Sequence, residues 1–170
     1  MDASSYASRV TMMAARPIPF SSRSSGQRSV KPGSAARLTQ SPDVPPCVVV
    51  VDDDGDLLEM LAEIFESDGF RVAPCRTAVA AIAALTSAPP DLVVTDVLLR
   101  DHSECAIVHW LDEHHLPLAG VIILTGMPRN LMERDEALVQ RLGARVMAKP
   151  FVLDDLLQAA RDITGWRGQF

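Results

Sequence analysis

The chain has 170 residues, 48% hydrophobic and 22% charged, with a formal net charge of −6. That length fits one domain and a tail, the hydrophobic share can supply a core, and no apolar run approaches the roughly 20 residues of a membrane-spanning helix. Residues 1–46 hold six Lys/Arg and two Asp, while the remainder holds ten Lys/Arg and twenty Asp/Glu, and so acidic a domain lacks the basic footprint for direct nucleic-acid binding.

Residues 1–46 are rich in Ser, Arg, Ala and Pro, with segments such as Ser21-Ser22-Arg23-Ser24-Ser25-Gly26. Such a segment buries too little apolar surface to offset its ordering entropy, so a disordered tail is predicted. An Arg- and Ser-rich, acid-poor N-terminus also resembles an organelle transit peptide, and a start at Met12 or Met13 is a third reading. A tail without function is the simplest of the three. Cys47, Cys75 and Cys105 are widely spaced. They suggest neither a zinc site nor a disulfide framework and fit a reducing cytoplasm.

From Cys47 onward strands and helices alternate. Val48–Val51 is four valines in a row, the pattern of a parallel strand covered on both faces. Leu57, Leu58, Leu61, Ile64 and Phe65 recur at helical spacing and predict a helix over Asp56–Ser67, with Gly69 as its stop signal. Phe70–Ala73 reads as a short second strand. Thr77 is a candidate N-cap for an alanine-rich helix to about Thr86, and Pro89-Pro90 breaks the chain. The third strand ends at Asp96, and a third helix is predicted from about Glu104 to His114. Strand four ends near Leu124, helix four runs from about Asn130 to Leu142 and is stopped by Gly143, strand five is Ala144–Met147, and helix five is Leu153–Ile163. Five βα units predict an α/β fold, a flavodoxin-like doubly wound five-stranded parallel sheet of order 2-1-3-4-5 with five helices.

The chemistry gathers at the strand ends. Strand one runs into Asp52-Asp53-Asp54. Carboxylates this close need exposure, protonation or a cation, and Mg²⁺ takes oxygen ligands, usually one or two carboxylates plus water. The bland alternative is a polar loop capping the following helix. Strand three ends in Asp96, strand four in Thr125-Gly126, and strand five in Lys149-Pro150-Phe151. Lys149 is the only lysine after residue 46, against nine arginines. Lysine is a compact point charge and arginine a planar fork, so the choice matters in a tight anion site. Ligands of open α/β sheets bind beyond the carboxyl ends of the strands, and all four endings point there.

These residues, in this order and at this spacing, resemble a response-regulator receiver domain, the phospho-acceptor module of two-component signalling. The resemblance covers about Cys47 to Ile163 and divides the chain into a tail (1–46), a receiver domain (47–166) and a short C-terminal tail (167–170). It implies Mg²⁺ held by Asp52, Asp53, Asp96 and the backbone carbonyl of Leu98, with Asp96 as phospho-acceptor. Lys149 would supply charge and Thr125 a hydroxyl. It also implies a histidine kinase or histidine phosphotransfer protein as phosphoryl donor, a downstream protein target, no membrane and a cytoplasmic location. A phosphorylation-dependent dimer through helix four, strand five and helix five is a further partner it admits. No enzyme activity is expected beyond the domain's own phosphotransfer and autodephosphorylation. The chain stops shortly after helix five, which suggests a stand-alone receiver. The competing readings are a pseudo-receiver that binds partners without being phosphorylated, and a metal-dependent phosphatase with an aspartyl nucleophile, for which no second strand-end motif is seen. No P-loop motif is present, which argues against nucleotide hydrolysis.

Several positions depart from the family pattern. Arg100 stands where proline is common, Glu104 about where glycine is often seen, and the reach from Gly143 to Lys149 is one residue short. Val146 stands three before Lys149, where an aromatic switch residue is usual. Leu98 and Met127 occupy positions that tune dephosphorylation in the family. Both are apolar and hold no attacking water, so a long-lived phosphoryl group is expected. His102, His109, His114 and His115 read as solvated surface, with His114 and His115 about 100° apart on a helix. Trp110 and Trp166 read as packing residues.

Overall fold

The computed structural model describes residues 44–100 and 105–168. Residues 1–43 of the predicted tail, His102 and Glu104 lie outside them. The described chain runs β1 (Cys47–Val51), α1 (Gly55–Ser67), β2 (Arg71–Cys75), α2 (Ala78–Ser87), β3 (Leu92–Asp96), α3 (Ala106–His114), β4 (Gly120–Thr125), α4 (Pro128–Leu142), β5 (Arg145–Ala148) and α5 (Leu153–Thr164). The strands form one parallel sheet in the order β2-β1-β3-β4-β5, as predicted.

The valine run has a direct physical explanation. Side chains alternate across a strand. Val49 and Val51 therefore enter the core beneath α2, α3 and α4, with Ala81, Leu85, Ile107 and Leu131. Val48 and Val50 enter the core beneath α1 and α5, with Leu61, Phe65 and Leu156. A strand buried on both faces has no polar side to show.

The helix ends follow local chemistry. Asp54 caps α1 by accepting from the Asp56 and Leu57 amides at 3.1 and 3.2 Å. The Thr77 hydroxyl caps α2 through the Ala80 amide at 3.1 Å. Gly143 closes α4 at φ 59°, in the left-handed region that glycine enters without steric cost.

Some boundaries move. β2 begins after Phe70 and passes through Pro74 to Cys75, because an edge strand can spare the amide that proline lacks. Phe70 is instead buried against Phe65 and Trp166, with ring centroids 5.4 and 6.4 Å away. The Trp166 indole also donates to the Asp68 carbonyl at 3.0 Å, and the Asp68 carboxylate pairs with Arg161 of α5. Trp110 stacks on His114 at 4.0 Å. α4 starts two residues earlier than predicted, at Pro128, which suits a first helical turn where no amide is needed, and its backbone leaves helical geometry at Asp135.

Gly120 opens β4 beside α5. A Cβ there would meet the Ile163 Cγ2 at 2.7 Å, closer than two carbons tolerate, and that methyl sits on a stiff β-branched side chain. Gly120→Ala is expected to cost about 1–3 kcal/mol, the usual penalty of overpacking. Adding Ile163→Ala should make the double mutant less destabilised than the sum of the two single changes in urea unfolding. Simple additivity would show that the methyl contact does not constrain this strand.

Candidate functional site

The strand order reverses between β1 and β3, the place where open α/β sheets leave a crevice beyond their carboxyl ends. Asp52 and Asp53 follow β1 directly, and Asp96 is the last residue of β3. The three side chains offer carboxylate oxygens within 4.8 Å of one another. The acidic run divides between two settings. Asp54 caps the helix, whereas Asp52 and Asp53 face Asp96.

Asp52 is 1% exposed. Its Oδ1 accepts the Asp54 amide at 3.0 Å and its Oδ2 accepts the Lys149 Nζ at 2.7 Å. The same ammonium reaches the Asp96 Oδ2 at 2.6 Å, and the Asp96 Oδ1 accepts the Leu98 amide at 3.2 Å. One lysine thus bridges two carboxylates on neighbouring strands. Burial pushes the Asp52 carboxyl above its ordinary range, and its hydrogen bonds to Lys149 and Asp54 offset only part of that. Burial pulls the Lys149 ammonium the other way, but its hydrogen bonds to Asp52 and Asp96 prevail and hold it above the usual lysine range.

β5 delivers the lysine. The Lys149 amide donates to the Thr125 carbonyl at 2.8 Å, continuing the β4–β5 ladder past Ala148. The Lys149–Pro150 peptide is cis. Thr125 ends β4, is 4% exposed, and its hydroxyl accepts the Met127 amide at 3.0 Å. Asp96 lies in register with Leu124, so Thr125 stands one residue beyond it on the adjacent strand. All five side chains named from the sequence are therefore at one edge of the sheet, together with the Leu98 backbone.

Asp53 has a partner whose role sequence reasoning missed. Its Oδ2 lies 2.6 Å from the Nε of Arg100, whose side chain is 87% exposed. The sequence marks Arg100 only as unusual. The available signal was a cation four residues past an aspartate at the same strand edge. The Arg76 guanidinium lies nearby and donates to the Asp53 backbone carbonyl at 3.4 Å. Leu98 and Met127 are each 51% exposed on the loops that border the carboxylates. Val146 is half-buried against the α2–α4 core. Of the described histidines, His109 faces Asp135 at 3.9 Å and His114 Nδ1 lies 2.8 Å from the Trp110 carbonyl; both, with His115, are exposed and distant in sequence from the acidic edge. A cavity of about 260 Å³ at the start of β4, lined by Leu111, Leu116, Gly120 and Leu142, includes none of the clustered carboxylates.

Such an edge, acid cluster and aspartate facing a lysine and a threonine on a 2-1-3-4-5 sheet, is the arrangement of a receiver-type module. The sequence model of the response regulator receiver domain matches residues 48–161, and the chain belongs to that family. It is 31% identical over 117 residues to the probable transcriptional regulatory protein TcrX of Mycobacterium tuberculosis, across 69% of this chain and 49% of that protein. It is 29% identical over 100 residues to the sensor histidine kinase TmoS of Ectopseudomonas mendocina, across 56% of this chain and 10% of that one. The chain thus spans half or less of the curated relatives it matches. Among solved structures, the CheY-like receiver domain protein of Methanospirillum hungatei JF-1 superposes with a TM-score of 0.63 at 25% identity, over 72% of this chain and 95% of that one. The receiver domain of Francisella response regulator 1452 gives 0.63 at 20% identity, over 71% and 97%, and shows the shared fold. No described helix is long and apolar enough to cross a membrane.

Lys149→Met tests the charge balance. It leaves the buried Asp52 carboxylate without its ammonium, at an expected cost of about 1–3 kcal/mol at neutral pH in metal-free buffer. A raised folded-state carboxyl pKa means that folding binds the proton more tightly. Its penalty is therefore absent below the unfolded pKa and grows as pH rises through the folded value. Urea unfolding should thus show the mutant's deficit shrinking as pH falls toward the carboxylate range. A deficit constant with pH would mean that Lys149 stabilises by packing alone.

Proposed function

We propose that Asp96 accepts a phosphoryl group from the phosphohistidine of a histidine kinase or histidine phosphotransfer protein, and that the modified domain signals through a protein target in the cytoplasm. The observation that carries this reading is the Lys149 ammonium 2.6 Å from the Asp96 Oδ2. Among the three clustered carboxylates, Asp52 is 1% exposed and cannot meet a donor. Asp53 is 19% exposed but faces Arg100 and not the lysine. Asp96, at 14% exposed, is both reachable and in contact with a fixed cation.

The three carboxylates suit a hard cation, and Asp52, Asp53, Asp96 and the Leu98 carbonyl would hold it. When bound, Mg²⁺ supplies positive charge to phosphoryl oxygens. The remaining work falls to the chain itself. One Asp96 carboxylate oxygen bonds to phosphorus as the N–P bond of the donor breaks, and the electron pair leaves with the imidazole. Phosphoryl transfer needs positioning and charge stabilisation more than covalent assistance. Lys149 meets the charge on the transferring group, and the Thr125 hydroxyl offers a hydrogen bond once it turns from the Met127 amide. Movement of Thr125 would then repack α4 and β5, with Val146 following as an aliphatic side chain in place of a swinging ring. Leu98 and Met127 at the rim are apolar, and neither orients a water for hydrolysis.

Intact-protein mass after incubation with acetyl phosphate and Mg²⁺ tests the proposal. One phosphoryl adduct is expected, absent without Mg²⁺ and absent in Asp96→Asn, and persisting through desalting. Absence of the adduct, together with failure to bind beryllofluoride, would favour a pseudo-receiver that contacts partners without phosphorylation.

A further inference from the structure

Among the described residues, two cations of very different standing contact the clustered carboxylates. Lys149 is 24% exposed, contacts two carboxylates, and one of these is buried. Arg100 is 87% exposed and contacts one carboxylate, Asp53, at 2.6 Å. Together they leave the three carboxylates one positive charge short of neutrality. A divalent cation added beside both would make the site net positive. With Arg100 moved away, the same cation and Lys149 balance the three carboxylates.

We infer that the Arg100 guanidinium is an internal occupant of the cation site, held on Asp53 until a divalent cation displaces it, and that Arg100 thereby sets the affinity of this domain for its metal. The inference rests on the reading of Asp52, Asp53 and Asp96 as the metal-binding set. Arg100, and not Lys149, is the group that yields. An exposed ion pair is worth little, because the guanidinium is rehydrated when it leaves. Removing the lysine would strand the buried Asp52 charge, which costs much more. The consequence is a phosphorylation step tuned to metal concentration. A receiver whose Asp53 stands free would be loaded at lower metal levels than this one.

Mn²⁺ binding to the full chain, followed by electron paramagnetic resonance with Mg²⁺ as competitor, tests this without any phosphoryl donor. Arg100→Gln is expected to bind the metal about three- to tenfold more tightly at low ionic strength, the range of an exposed charge contact, with the gap narrowing as salt screens it. Arg76→Gln is the control. Its guanidinium donates to the Asp53 backbone carbonyl at 3.4 Å and, among the described residues, forms no ion pair with the carboxylate, so a change below about twofold is expected. Equal affinity in Arg100→Gln and wild type, or an equal gain in Arg76→Gln, would overturn the role of Arg100 while leaving the metal set intact. Failure of both wild type and Arg100→Gln to bind Mn²⁺ would overturn the metal set and the inference with it.

Discussion

Three aspartates at the ends of two neighbouring strands repel one another, and one ammonium makes the arrangement tolerable. The Lys149 Nζ sits 2.7 Å from Asp52 and 2.6 Å from Asp96, the latter the proposed acceptor. Because Asp52 is buried, its charge cannot be satisfied by water. The lysine is in turn fixed by the backbone of β5, whose ladder runs past Ala148 to the Thr125 carbonyl. Remove that ammonium and the buried carboxylate must protonate or the edge must open.

The sheet makes this placement possible. Strands buried on both faces consist mainly of Val, Ile and Leu, so polar chemistry gathers at their last residues and in the loops beyond. β1 and β3 are neighbours and their following helices lie on opposite faces of the sheet. The connections therefore diverge and leave Asp53 and Asp96 partly exposed above the buried ends of the strands. The same strand ends link the site to the proposed readout. Thr125 ends β4 and Lys149 follows β5, and Thr125 leads directly into the loop before α4. A charge added at Asp96, as proposed, would act first on Thr125 and Lys149, of which Thr125 leads to that helix.

Much of this is legible in the sequence because the signals are strong and redundant. A four-valine run cannot be a half-exposed strand, and a single lysine among nine arginines after residue 46 marks a place where geometry matters. Asp52, Asp53, Asp96, Thr125 and Lys149 could be placed at one edge because the βα alternation sends every strand the same way. What stayed hidden depends on contacts between residues remote in sequence. Gly120 looks like an ordinary turn glycine until Ile163 is seen against it. Pro74 argues against a strand unless β2 is known to be an edge. The Asp53–Arg100 pair spans a loop whose path no local pattern encodes, and a charged residue in a loop is more often solvated than partnered. Asp135 interrupts α4 without any proline or glycine to announce it.

The most direct test of the central claim is to locate the modified carboxylate. Borohydride reduction of the phosphorylated chain converts an aspartyl phosphate to homoserine, and fragment masses then identify the residue. The account predicts homoserine at Asp96 alone, with Asp52 and Asp53 unmodified. Homoserine at Asp52 or Asp53 would contradict it, because the carboxylate that reacts would then be one whose burial or partner was argued to keep it from the donor.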